Sequence, residues 1–160
     1  ALNGALTVVS SGKKEVFEGV KSILEKIAVE IFHLESPSSA TKMKLINNLC
    51  LGSFMATLAE CTALAENCEI PKAKALEILG VGGGQSLVLK AKTQKLIDED
   101  FSAHFSNNAI NKDLHLLQDL AYNLKLPLYS AAIPKELFSK MKMMGKGEED
   151  FSSIYQLFKK

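Results

Sequence analysis

The sequence predicts a mainly α protein, a helical bundle built around one long central helix and preceded by a short β-α-β remnant. Three observations carry this. From Ser36 to about Asn67 the chain holds Gly52 as its one glycine and Pro37 as its one proline, and that proline stands at the start. Ahead of this run, two β-prone stretches flank a stretch with apolar residues at helical spacing. Behind it, five shorter helical patterns alternate with breaks rich in glycine, proline or small polar residues.

Ala5 to Ser10 is β-prone and closed by Ser11-Gly12. Val16, Val20, Ile23, Leu24 and Ile27 then recur as one helix face, and Val29 to Leu34 reads as a second strand. A unit of about 30 residues of this kind is a β-α-β piece. Alone it leaves sheet edges and one face uncovered, which predicts that it ends a larger α/β domain lying upstream. Ser36 is a suitable N-cap with Pro37 in the first helical position. The long helix that follows has Leu45, Leu49, Phe54, Met55, Leu58 and Ala59 distributed all round it, which predicts enclosure by other helices. The shorter helices are expected at Pro71 to Leu79, Gln85 to Asp98, Asn108 to Leu124, Tyr129 to Met144 and Asp150 to Phe158, with Gly80 to Gly84 as a helix end and hinge.

Composition narrows the function classes. A hydrophobic share of 47% and a charged share of 23% are those of a globular protein with a sizeable core. The net charge of +1 is spread along the chain, so no nucleic-acid partner is expected. All nineteen basic residues are lysines, which removes the planar fork that captures phosphates and carboxylates in pairs of hydrogen bonds. Cys50, Cys61 and Cys68 form no CxxC pair and are expected as reduced, small packing residues, consistent with a cytoplasmic protein. His33, His104 and His115 have no spacing for a shared metal, so no metal site is expected. The uncharged run from Leu45 to Ala59 falls short of the roughly 20 residues of a membrane span and predicts a core helix, not a membrane partner. Lys90, Lys92 and Lys95 read as a solvated face, and Met141, Met143 and Met144 as packing residues.

The stretch that carries chemistry is Ser38-Ser39-Ala40-Thr41-Lys42-Met43-Lys44-Leu45-Ile46-Asn47-Asn48. Lys44 and Asn48 are one turn apart and share a helix face. That spacing alone also fits a solvated lysine beside a capping amide. Lys44-Leu45-Ile46-Asn47-Asn48, with Phe54-Met55-Ala56 and Leu58-Ala59-Glu60, resembles the Lys-x-x-Asn-Asn helix of the 3-hydroxyisobutyrate dehydrogenase family of β-hydroxyacid dehydrogenases. Asn111-Lys112-Asp113-Leu114 is similar to its Lys-Asp-Leu segment, and Gly145 to Ser153 to its closing Gly-x-Gly-x-x-Asp-x-Ser pattern. The opening Gly4 to Gly12 looks like the last strand of its cofactor domain.

The resemblance implies an NAD(P)-dependent oxidoreductase acting on a small β-hydroxy acid or its semialdehyde. Residues 1–35 would end a Rossmann-type dinucleotide-binding domain, and 36–160 would form the helical substrate and dimerisation domain. Lys44 would be the general acid/base and Asn48 would orient it. Apolar enclosure beside an oxidised nicotinamide would disfavour the charged lysine. Lys112 would reach the cofactor, NAD or NADP, which the upstream domain mainly binds. Phe105 is implied as a substrate wall and reads equally as a core aromatic. A homodimer is expected, and the segment alone is expected to be inactive. Two departures stand out. Ser38 and Ala40 occupy positions where the family pattern has glycines, and the Gly-x-Gly-x-x-Gly turn and the family's substrate-binding Ser-Gly-Gly loop are absent. The competing reading is a non-catalytic helical dimerisation module derived from the same family.

Overall fold

The computed structural model describes residues 6–159. Gly4 and Ala5, part of the opening motif and of the first expected strand, lie outside the described residues. The element order is β1 (Leu6–Ser11), α1 (Lys14–Leu24), β2 (Ala28–Leu34), α2 (Ser39–Asn67), α3 (Lys72–Val81), α4 (Leu87–Asp98), α5 (Asn107–Asn123), α6 (Tyr129–Met143) and a closing 3-10 helix (Phe151–Leu157). The mainly helical class with a small parallel sheet is therefore the observed one. The chain divides into two compact units, one ending at Ile46 and one beginning at Asn47, and the division falls within α2.

In the first unit, β1 and β2 pair in parallel, with Val8 beside Ile31, Val9 beside Phe32 and Ser10 beside His33. The Ser10 hydroxyl lies 3.0 Å from His33 Nδ1, and the Phe17 ring stacks on the His33 ring at 4.3 Å. Helix α1 has no buried residue, and its apolar side, Val16, Val20 and Ile23, is exposed. This is the uncovered face that a two-strand sheet with one helix leaves behind.

Helix α2 starts two residues later than the Ser36 cap predicts, at Ser39 instead of Pro37. Ser38 adopts φ 63°, in the left-handed region, so residues 36–38 form a turn and helical geometry begins at Ser39. A side chain in that conformation costs about 1–2 kcal/mol, partly regained by glycine's greater freedom in the unfolded chain. Ser38→Gly should therefore raise stability by about 0.5–1 kcal/mol, read as a higher denaturant midpoint at constant slope.

In the second unit the core centres on one stripe of α2. Asn48, Gly52, Met55, Ala59 and Thr62 recur at alternating spacings of four and three and are buried, with Ala56, Leu58 and Ala63 beside them. Gly52 lets α5 come close, since a Cβ there would lie 3.2 Å from Leu114 Cδ1. Helix α5 gives Ile110, Leu114 and Leu117 to this core, α6 gives Ala131, Phe138 and Met141, and the closing helix gives Phe151, Ile154 and Tyr155. The Asn111 amide ties α5 to α6 through the Lys135 carbonyl at 3.1 Å and Ser139 Oγ at 2.9 Å.

Several expectations need correction. Helix α2 is not enclosed on every face within one chain, because Phe54 is 49% and Leu64 66% exposed. By length and mean hydropathy, 1.2, it would pass for a membrane span, yet its buried stripe carries Asn48 and Thr62 and packs on α5. The last element is a 3-10 helix, capped by Asp150, whose carboxylate accepts from the Ser152 amide. Cys50 and Cys68 are exposed and Cys61 half-buried, so these thiols are not core residues. Met141 is buried, whereas Met143 and Met144 are exposed. Lys90 is exposed, but Lys92 and Lys95 are not a solvated face: they are only 5% and 7% exposed. Their heads meet carboxylates and carbonyls of a later segment, which a helical spacing of lysines does not reveal.

Candidate active site

Lys44 and Asn48 lie on one continuous helix, and a spacing of four keeps them on the same side of it. Lys44 occupies an exposed position, so the described residues do not give it the apolar enclosure expected. Asn48 is buried. Its Nδ2 donates to Asp113 Oδ2 at 2.7 Å, joining α2 to α5 one turn before the close approach at Gly52. The bond fixes the amide: the NH2 end faces the carboxylate, and Oδ1 is left as the end that can accept.

Asp113 is 2% exposed. It is the residue that sequence reasoning passed over, although it stands in the quoted Lys-Asp-Leu segment. Its neighbour Lys112 points outward, with its side chain 67% exposed and Nζ 3.6 Å from Asp113 Oδ1. A solvent-facing ammonium next to a buried carboxylate suits an anionic or amide group arriving from outside. Asn48, Asp113 and Lys112 are thus brought together in the second unit.

Phe105 lies on the segment between α4 and α5, half-buried. Its hydrogen bonds and ring contact run to the closing segment. The amide donates to Asp150 Oδ2 at 3.3 Å, the carbonyl accepts from the Phe151 amide at 2.9 Å, and the rings of Phe105 and Phe151 meet edge to face at 5.9 Å. Its backbone is therefore pinned, and the residue as a whole is half-buried.

Asp150 is the most heavily hydrogen-bonded carboxylate near these residues, and it is fully buried. Oδ2 accepts from Lys92 Nζ at 2.8 Å and from the His104 amide at 3.0 Å as well as from Phe105, while Oδ1 accepts from Ser152 Oγ at 2.7 Å. The Lys92 ammonium also stands 4.9 Å from the Phe151 ring centre. Burial pushes the Asp150 carboxyl up, but the hydrogen bonds from Lys92, Ser152 and the His104 amide outweigh it and hold the pKa below the ordinary value. A separate cavity of about 420 Å³, lined by Phe54, Thr57, Cys61, Gly83, Gln85 and Leu89 among others, contains none of these groups.

The family described as NAD-binding of NADP-dependent 3-hydroxyisobutyrate dehydrogenase matches residues 38–158. The chain is 31% identical over 156 residues to 2-(hydroxymethyl)glutarate dehydrogenase of Eubacterium barkeri, covering 97% of this chain and 52% of that protein. It is 30% identical to the cytokine-like nuclear factor N-PAC of Gallus gallus, covering 98% of this chain and 28% of that one. The crystal structure of 3-hydroxyisobutyrate dehydrogenase from Salmonella typhimurium has the same fold, with a TM-score of 0.87 at 27% identity over 92% of this chain and 52% of its own. The chain thus spans about half the length of the dehydrogenases it matches. The helix that carries Lys44 and Asn48, the Lys112-Asp113 turn of α5 and the segment closed by Asp150 all fall within the matched residues, and the chain belongs to the 3-hydroxyisobutyrate dehydrogenase family.

Proposed function

We propose that this chain is the helical, proton-handling part of an NAD(P)-dependent oxidoreductase acting on a small β-hydroxy acid or its semialdehyde. The observation that carries the reading is the buried Asn48–Asp113 hydrogen bond, which fixes an amide one turn beyond Lys44 on the same helix. In oxidation Lys44, as the neutral amine, takes the substrate hydroxyl proton; in reduction it returns that proton to the carbonyl oxygen. Asn48 presents Oδ1 to orient the lysine and the substrate oxygen, and Asp113 holds Asn48 in that pose.

The cofactor fits these residues in part. Lys112 is outward and cationic, suited to a contact with NAD or NADP. The sequence holds no Gly-x-Gly-x-x-Gly turn for a pyrophosphate, so that contact belongs to an adjoining domain. A bound NAD or NADP would supply the acceptor or donor of the hydride at the carbinol carbon. Residues 1–35 are read as the end of that Rossmann-type domain and 36–160 as the helical domain, a reading supported by the open apolar side of α1. Phe105 supplies an apolar wall, and the lack of arginine favours short, non-phosphorylated substrates. The helical part alone would be inactive, and the cytoplasm is the proposed compartment. Exposed Phe54, Leu64, Leu87, Tyr122 and Tyr129 support a homodimer that covers some of this surface; a monomeric mass by light scattering would overturn it.

The likeness to N-PAC, a relative named as a nuclear factor and not as a dehydrogenase, supports a second reading, a non-catalytic helical dimerisation module in which the family's packing is kept. Steady-state assay of the natural full-length protein separates the two. With NAD⁺ or NADP⁺ and a panel including 3-hydroxyisobutyrate and 2-(hydroxymethyl)glutarate, reduced nicotinamide should form with at least one acid. No reduction with any of them would favour the packing module.

A further inference from the structure

The segment between α4 and α5 has no regular structure over residues 99–105, yet two buried lysines of α4 hold it at both ends. Lys95 Nζ donates to the carbonyl of Asp100 at 3.1 Å and to Asp100 Oδ2 at 3.1 Å. It also reaches the carbonyl of Ser102 at 2.7 Å and its hydroxyl at 3.0 Å. One helical turn earlier, Lys92 reaches Asp150, and the same carboxylate oxygen accepts the consecutive amides of His104 and Phe105. The closing segment completes the clamp through the Asp150 amide on the Phe101 carbonyl at 2.8 Å and the Phe151 amide on the Phe105 carbonyl at 2.9 Å.

This arrangement exceeds what neutralising a buried charge requires. Lys92 with the Ser152 hydroxyl and amide would already satisfy the carboxylate. The two further amides come from the residue proposed to face the substrate and from the residue before it. Beyond Phe105 the chain turns at once into α5, with Ser106 Oγ accepting from the Ala109 amide at 3.2 Å, so the clamp also sets where the helix bearing Lys112 and Asp113 begins.

We propose that Lys92 and Asp150 are positioning residues for substrate binding: their buried ion pair sets the backbone of residues 104 and 105 and, through it, the placement of the Phe105 ring against the hydroxy acid. This rests on the dehydrogenase reading above, in which Phe105 lines the substrate. Neither residue touches the reacting atoms, so the effect falls on substrate affinity and leaves proton transfer at Lys44 in place.

The test uses the natural full-length protein with the double substitution Lys92→Met and Asp150→Asn, which removes both charges and leaves no orphaned ion in the core. Folding is checked by unchanged amide hydrogen exchange at Leu114 and Leu117 of α5. Exchange at the His104 and Phe105 amides should accelerate at least about tenfold. KM for the hydroxy acid should rise at least about tenfold, kcat should stay within about threefold, and the Kd of NAD(P)⁺ should not move. Lys92→Arg, which restores a cation to Asp150, should recover part of the KM. An active parent enzyme whose double variant keeps the parental KM overturns the proposal. A parent that oxidises no hydroxy acid overturns the dehydrogenase reading instead, and the two failures are thereby told apart.

Discussion

Replacing Lys44 by alanine in the natural full-length protein should lower kcat about 10²–10⁴-fold while leaving the Kd of NAD(P)⁺ unchanged. The size follows from what is removed. A positioned proton carrier is lost from the step in which the hydroxyl gives up its proton, whereas Lys112, assigned to the cofactor, is untouched. Asn48→Ala should cost less, since it removes orientation and not the proton carrier. It should also remove the Asn48 hydrogen bond to Asp113, 2% exposed, so stability falls together with activity. The check is a steady-state assay paired with cofactor titration. Turnover of Lys44→Ala near the parental rate would remove Lys44 from the mechanism and leave the packing-module reading in front.

The second large effect belongs to the buried pair of α4 and the closing segment. Lys92→Ala strands Asp150, which is completely buried, and should destabilise the helical unit by about 3–5 kcal/mol, measured by denaturant unfolding. The doubly neutral variant should lose much less, because the penalty comes mainly from the orphaned charge. The pH dependence has a definite sign. Asp150 has its pKa lowered on folding, so its contribution is fully present above the unfolded value of about 3.9 and is lost as pH falls from there through the folded value. Lys92→Ala removes the first of the hydrogen bonds that oppose burial, so acid unfolding should begin at higher pH in that variant. An unchanged acid midpoint would show that the pair adds no pH-dependent stability.

The elements that could be read from the sequence are those whose signals are local. Both strands, α1 and the helices after α2 carry their own periodicity and breaks, and the structure places them within a few residues of the expected bounds. The start of α2 was missed because the left-handed backbone of Ser38 belongs to a residue type that usually avoids it. The open side of α2 was missed because composition tells how much of a helix is apolar and not which part is covered. Asp113 was visible in its motif, but its meaning depends on Asn48, 65 residues earlier. Lys92 was misread for the same reason. Its partner lies 58 residues further on, and a lysine on a mixed helix looks solvated until the carboxylate that buries it is located.

The long reach of the Asp150 contacts also fixes an order of events during synthesis. The amides of His104 and Phe105 are satisfied by a side chain made 46 and 45 residues after them. A growing polypeptide can complete α2 through α4 with that stretch still unsettled, since its carboxylate partner has not yet left the ribosome. The wall assigned to the substrate therefore becomes rigid only near the end of translation of this region. Closing so long a contact comes late because its entropy is spent before any bond returns it. A nascent chain that stalls before Asp150 would carry a finished α4 beside a segment that Lys92 alone cannot hold.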